Sequence, residues 1–387
     1  MDWTLLLEWA IKSLVLIMTL LVGFGYLTYY ERRFLAFLQA RLGPNRAGPQ
    51  GLMQWMADAV KLIFKEELTP ASAYKLVFFL APILTMVPSI VIAAVIPWGP
   101  PVQMFGRTIT QSVADINVGI LFLMSIASIA VYGIVLAGWS SNNKYAMMGG
   151  LRSSAQMISY ELTLGLAFVV AIMLGNSMSL VEIVEAQKGM WFFMVQPLGA
   201  IILWIATVAE VNRHPFDMPE AEQEIVAGYH TEYSGMKFAL FFMAEYQKMI
   251  IVSAILVTLF FGGYREFWFL KDTFLSVDAV WKIGSWQTTA WFLGPIYMFL
   301  KIAFFLGVMI WVRASWPRIR YHRLMDFGWK VLLPLALAMV FITAAGILLG
   351  QEISPWFLWL MTPILSLLAG WFASLMVDRA IRRKNYA

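Results

Sequence analysis

Nine apolar segments, each close to bilayer-crossing length, divide this sequence. They lie near residues 9–30, 76–98, 116–139, 156–174, 191–209, 238–264, 290–312, 329–349 and 355–377. A helix needs about 20 apolar residues to cross the hydrocarbon region, and the segments at 156–174 and 191–209 are short by that measure. Hydrocarbon offers no hydrogen-bond partners, so spanning segments must satisfy their backbone internally, as helices do. The fold predicted is an all-α polytopic membrane helix bundle of about nine transmembrane helices. Hydrophobic residues make up 60% of the chain and charged ones 13%, which agrees with that class.

Lys and Arg set the orientation. Of the 28 in the chain, 20 fall after the first, third, fifth and seventh segments or in the C-terminal tail, and three fall inside segments. The expectation is an N-terminus outside and a C-terminus in the cytoplasm. Asp2 and Glu8 stand where a cleavable signal peptide carries a basic region, so none is expected. The absence of cysteine excludes disulfides, thiolate metal sites and iron–sulfur ligation by this chain. Three histidines without an HExxH pattern argue against a dedicated metal site, and no Walker or GxGxxG loop is present. The net charge of +5 resides in loops beside apolar segments, which is not a nucleic-acid signal.

Between the fifth and sixth segments the chain gathers acids against the membrane. Ala209–Tyr246 holds Glu210, Asp217, Glu220, Glu222, Glu224, Glu232 and Glu245. An ionised side chain at a helix centre costs about 2.5–3.5 kcal/mol on insertion scales. Asp217-Met218-Pro219-Glu220 reads as a capping box, and the helix dipole alone favours acids there. That reading does not cover Glu210 at the end of one segment or Glu245 inside the next. Glu220 and Glu224 share a helix face, where like charges repel, and crowding with desolvation moves carboxyls toward neutrality. Such groups can pass protons. Glu161 lies about 8 Å into its helix at 1.5 Å per residue, where an acid either serves function or bonds a neighbouring helix. Lys248 is one turn from Glu245, and Lys301 sits near mid-span, too deep to snorkel easily.

The connection 31–75 opens with Glu31-Arg32-Arg33 and continues through the turn-rich Arg41-Leu42-Gly43-Pro44-Asn45-Arg46. In Gly51–Glu67, Trp55, Met56, Val60, Ile63 and Phe64 recur at helical spacing, while Asp58, Lys61 and Lys65 share another face. This predicts an amphipathic helix in the cytoplasmic interface. It reads either as a basic membrane-surface flank or as a rim admitting a lipophilic molecule. Pro82 and Pro88 in the second segment predict kinks.

These motifs together resemble one family. Glu31-Arg32-Arg33, Gln39–Arg46, Ala57-Asp58 through Glu66, Ile158-Ser159-Tyr160-Glu161, the whole Ala209–Tyr246 stretch and Arg313-Ala314-Ser315-Trp316-Pro317-Arg318 carry the likeness. They are similar to the H-type membrane subunit of proton-pumping NADH:quinone oxidoreductase, respiratory complex I (subunit 1 in mitochondria). The resemblance covers roughly residues 9–350.

The resemblance implies a non-redox subunit, not catalytic alone, in a multi-pass place in a bacterial inner (plasma) membrane. Quinone would be the substrate, reached from lipid. FMN, NADH and the iron–sulfur clusters would belong to partner subunits. Those partners would be the soluble iron–sulfur and quinone-site subunits of the hydrophilic arm, with antiporter-like and small membrane subunits beside this chain. By matching motif positions, Arg32, Arg41, Asp58 and Lys61 would line or support the quinone chamber. Glu161, Glu210, Glu220, Glu222, Glu224 and Glu245 would form the proton path, with Arg152 and Arg213 tuning it. The family core has eight spans, so residues 1–350 would be that core and 351–387 an added span with a basic tail. Two other readings stay open: a related membrane-bound hydrogenase or other-donor subunit, and an independent proton-coupled transporter, against which no internal repeat is evident.

Overall fold

The protein is described by a computed structural model covering residues 3–104, 107–218, 227–267, 276–278, 280–283, 286–289, 291–354 and 356–385. It is a helix bundle. Eight helices among the described residues are long and apolar enough to cross a membrane. α1 spans Trp3–Leu38, and the amphipathic α2 spans Gln54–Ile63. Then come α3 (Lys75–Ala93), α4 (Gly119–Ser140) and α5 (Lys144–Gly175). The short α6 (Leu180–Ala186) and α7 (Phe192–Val195) lead into α8 (Pro197–Glu210). The second half holds α9 (Gly235–Phe260) and α10 (Leu293–Ser315). α11 (Tyr321–Phe327) continues through a π-turn into α12 (Leu333–Glu352), and a second π-turn precedes α13 (Thr362–Asn385). Two small antiparallel hairpins, β1–β2 (Val102–Met104 with Arg107–Ile109) and β3–β4 (Val280–Ile283 with Trp286–Thr289), sit between helices.

The segment expected at 191–209 is the exception in length. Its helix is interrupted at Gln196, leaving four residues in α7 and 14 in α8. Fourteen residues rise only about 21 Å, short of the roughly 30 Å hydrocarbon core. The cause is local. Pro197 cannot donate a backbone hydrogen bond and takes the first position of α8, where none is needed. Broken backbone at membrane depth must be enclosed in protein. Gln196 is accordingly buried, and its side-chain amide donates to the Thr343 hydroxyl on α12 at 2.8 Å.

Pro82 and Pro88 lie within an uninterrupted α3. Pro82 leaves the Phe78 carbonyl without its helical donor, and the Tyr233 hydroxyl supplies one from outside at 3.2 Å. Small residues let neighbouring helices close in. A Cβ on Gly133 of α4 would stand 2.6 Å from Thr85 Cγ2 on α3, and one on Gly138 would stand 2.7 Å from the Ala146 carbonyl on α5.

The connections expected on one side of a membrane do converge on one end of the bundle. Tyr74 N–H donates to the Ser140 carbonyl, Asn143 bonds Glu232 at 2.7 Å, Ser234 bonds the Glu66 carbonyl, and Ile319 N–H donates to the Pro215 carbonyl. At the opposite end, Ile120 N–H reaches the Met178 carbonyl and Ser179 reaches Asp115. The core centres on α9, two thirds of whose apolar window is buried, whereas α1 and α13 bury 6% and 11% of theirs.

Candidate functional site

The N-terminal half of α9 is where the ionisable residues meet. α8 ends at Glu210, and the chain turns through Asn212, whose φ of 58° is tolerated by asparagine. The turn is held from below. Gln156 on α5 donates its amide to the carbonyls of Ala209 and Phe216, both at 2.8 Å. The His214 ring pairs with the Trp316 carbonyl at 2.8 Å, tying the same turn to the segment after α10. Arg213 is thereby aimed into the bundle.

Its guanidinium is shared. One nitrogen bonds Glu245 on α9, and the other bonds Glu31 near the end of α1 at 2.6 Å and the Tyr246 hydroxyl at 3.0 Å. Glu31 also takes an ion pair from Arg313 near the end of α10. The order is Arg313–Glu31–Arg213–Glu245, two cations alternating with two anions. Side-chain exposure is 3% for Glu31 and 4% for Arg213. Desolvation opposes any charge on buried Arg213, but Glu245, Tyr246 and Glu31 outweigh it and hold the guanidinium even more firmly charged than in water.

Beyond Glu245 the site opens. A pocket there is lined by Asn212, Asp217, His230, Glu245 and Lys248, among others. A second, mostly apolar pocket carries Glu161, Glu210 and Lys248 as its ionisable lining. The Ser128 hydroxyl on α4 hydrogen-bonds Glu161. Lys248 is within electrostatic reach of Glu210, Glu245 and Glu161.

The structure therefore brings together Glu161, Glu210, Glu245 and Arg213 from the sequence expectation. Glu220, Glu222 and Glu224 lie outside the described residues, as does the Glu220 half of the expected capping box. Arg152 lies with its guanidinium over the Tyr321 ring at 5.6 Å. Glu232, the remaining acid of the stretch, receives a hydrogen bond from Asn143, which itself caps α5. Sequence reasoning missed Glu31 and Arg313 as members of the charge network. The available signal was an acid at a span end inside an otherwise basic flank. Lys301 faces protein, as its depth required. Its ammonium donates to the carbonyls of Phe261, Gly263 and Arg265 at 2.6–3.0 Å, which places a cation on the C-terminal end of α9.

On the expected quinone-facing loop, Arg32 of α1 pairs with Asp58 of α2 at 2.6 Å, and Gln54 also donates to Asp58 at 3.2 Å. Trp55 rests on α1 at Gly25, where a Cβ would stand 2.9 Å from the indole. Arg33 reaches the carbonyls of Pro44 and Gln50 and shapes the turn between the helices. Arg41 and Lys61 are exposed, and so are Met53, Met56, Val60 and Ile63. No three or more His, Asp or Glu side chains converge as metal ligands among the described residues.

Fold and site define a class: a multi-pass membrane protein whose core encloses a linked set of carboxylates, an arginine and a lysine. A family model described as NADH dehydrogenase matches residues 11–344. An H-type subunit of NADH-quinone oxidoreductase from Geobacter metallireducens is 47% identical over 319 residues, covering 82% of this chain and 90% of that protein. The corresponding subunit of Protochlamydia amoebophila is 47% identical over 83% of this chain and 91% of its own. That of Thermomicrobium roseum is 45% identical over 89% and 97%. The chain belongs to the NADH dehydrogenase family, as an H-type subunit of NADH-quinone oxidoreductase, a membrane subunit of complex I that is not catalytic alone.

Proposed function

We propose that this subunit forms the quinone-access chamber of a proton-translocating NADH:quinone oxidoreductase and the carboxylate path that couples quinone reduction to pumping. The observation that carries the proposal is the pair of cavities that between them expose Glu161, Glu210, Glu245 and Asp217 within the bundle. An intramembrane acid is costly unless it has work to do or a partner to bond. Here three acids from α5, α8 and α9 line pockets within the bundle. Reduction of quinone adds electrons and calls for protons beside this set. A change in charge at one member shifts the protonation of the others.

The chamber reading rests on the α1–α2 element. Its Arg32–Asp58 pair fixes the amphipathic helix, whose apolar residues remain uncovered. Quinone would enter from lipid beside it, while electrons would arrive from iron–sulfur clusters on partner subunits, with FMN and NADH bound there too. Residues 1–350 would be the shared core. α13, which lies beyond the matched region, would be an added span packed on α12, where Thr362 meets Gly346. The charge bias supports a cytoplasmic side for the converged loops, with the N-terminus outside.

The test is Glu161→Gln in the enzyme purified from its native membrane and reconstituted in vesicles. Assembly should be intact, while protons moved per NADH oxidised should fall to less than half. Wild-type pumping in an assembled variant would reject the path. Asp58→Ala should slow quinone reduction and spare electron transfer to an artificial acceptor, and equal loss with both would point to misfolding. If wild-type material carries its iron–sulfur partners but does not oxidise NADH, a different electron donor serves this complex.

A further inference from the structure

Lys248 occupies a place that the carboxylate path leaves unexplained. Among the described residues it is the only one common to the linings of the two cavities. On one side it faces the space shared with Glu245, Asp217 and His230; on the other, the space shared with Glu161 and Glu210. The groups around it come from four elements: Glu161 from α5, Glu210 from α8, Glu245 one turn back on α9, and Asp217 and His230 from the connection between α8 and α9.

Its surroundings differ from those of the other half-hidden lysines. Lys301 is fixed by three carbonyls. Lys237 bonds Thr69 at 3.0 Å, reaches Glu67 at 3.5 Å and lies 4.1 Å from the Phe79 ring centre. Among the described residues, Lys248 has neither a hydrogen bond of that kind nor an ion pair that would hold its ammonium in one position. A lysine ends in a compact ammonium on a flexible four-carbon stem, and its proton affinity shifts readily when it is buried. An ammonium on a flexible stem, lining two pockets that each carry acids, has the geometry of a carrier.

We propose that Lys248 is a proton-carrying member of this subunit's path, passing protons between the Glu245 cavity and the Glu161–Glu210 cavity. The inference rests on the carboxylate-path reading above. The step is a plain proton transfer. The Nζ–H bond of the ammonium breaks as an O–H bond forms on Glu210 or Glu161, directly or through a water molecule, and leaves a neutral amine. The amine then takes a proton from the Glu245 side and is an ammonium again, so no net charge accumulates on the lysine over a cycle.

The alternative is that Lys248 is only a fixed counter-charge for its three acids, and arginine separates the two. Arginine keeps the positive charge but does not release its proton in a protein. Histidine keeps a proton that can be exchanged near neutral pH. The experiment uses the whole enzyme, purified and reconstituted, with protons moved per NADH oxidised normalised to assembled complex. Lys248→Met and Lys248→Arg should both cut the ratio to less than half, and Lys248→His should recover part of it. Wild-type pumping by Lys248→Arg would overturn the carrier role in favour of a fixed charge. Normal pumping by Lys248→Met, in a preparation where Glu161→Gln pumps poorly, would overturn it while leaving the carboxylate path standing. If Glu161→Gln also pumps normally, the path itself fails and the carrier falls with it. Should Lys248→Met not assemble, the contrast between arginine and histidine decides alone.

Discussion

The two ends of α9 carry two charge clusters built from the same residue types but put to different use. Towards its N-terminal end, Arg213 joins Glu31 to Glu245, and beyond Glu245 the pockets expose further acids and Lys248. Past its C-terminal end, which is about 22 Å from Glu245 at 1.5 Å per residue, Arg265 joins Glu185 to Asp278. There Lys188 adds a 2.8 Å pair to Asp278, Tyr264 bonds Glu185 at 2.7 Å, and Lys301 covers the last carbonyls. This second cluster ties α6 and the chain after α9 together, and each charge has a fixed partner. Towards the N-terminal end some charges are fixed and others line pockets. Burial of a charge is therefore a poor guide to its role in this protein. Whether the charge is committed to one partner is the better guide.

The largest effect that would test this contrast is at Arg213. Arg213→Ala removes the buried cation that joins Glu31 to Glu245, and removing one partner of a buried pair costs about 3–5 kcal/mol. The amount of assembled enzyme in membranes should collapse. From the sequence alone, Arg213→Lys should be milder unless forked geometry is needed. The structure supplies that condition, because the two guanidinium nitrogens serve different carboxylates on α1 and α9. An ammonium is a point charge without that fork. Arg213→Lys should therefore approach the alanine variant in assembly, and near-normal assembly would mean charge alone suffices.

Lys301→Met comes next. It removes a cation bonded to three carbonyls, and a single hydrogen bond to a charged group is worth about 1.5–3 kcal/mol. The purified complex should melt at a lower temperature, while protons pumped per NADH in the surviving enzyme stay as in wild type. A changed pumping ratio at unchanged melting temperature would break the contrast, because a committed lysine would then be acting in the path.

How far these roles could be read beforehand follows from the range of the interactions. The spans were legible because apolar runs announce themselves locally, and the weakness of the fifth was visible in its length. Glu161, Glu210 and Glu245 were legible because an acid beside or inside an apolar run is anomalous on its face. Glu31 was not, since its flank Glu31-Arg32-Arg33 looks like an ordinary basic exit and its partner Arg313 is 282 residues away. The depth of Lys301 predicted that it would face protein or water, but its partner is backbone at the end of another helix, which no side-chain pattern encodes. The shared lining that singles out Lys248 is likewise a property of how α5, α8 and α9 pack, and its sequence signal was only its spacing from Glu245.

The smallest effect lies at Asp278, and it tests the committed side of the contrast most directly. Burial alone would lift this carboxyl, but the hydrogen bond from Lys188 and the charges of Arg265 and Lys188 outweigh it and hold the group below the usual carboxylate range. A depressed folded value means that its contribution is fully present above the unfolded value, about 3.9, and fades only as pH falls through the folded one. Asp278 is half exposed, with 50% of its side chain in contact with solvent, so solvent screens the pair and its worth is about 1 kcal/mol or less. Asp278→Asn should lower the melting temperature of the complex slightly, and by the same amount at about pH 5.5 as at about pH 8, since the carboxyl stays ionised throughout. Pumping per NADH should not change. A melting difference that grows or shrinks across that interval would show a group of the second cluster exchanging a proton near neutral pH. The two ends of α9 would then differ in degree rather than in kind, and a fixed partner would no longer separate structural charges from working ones.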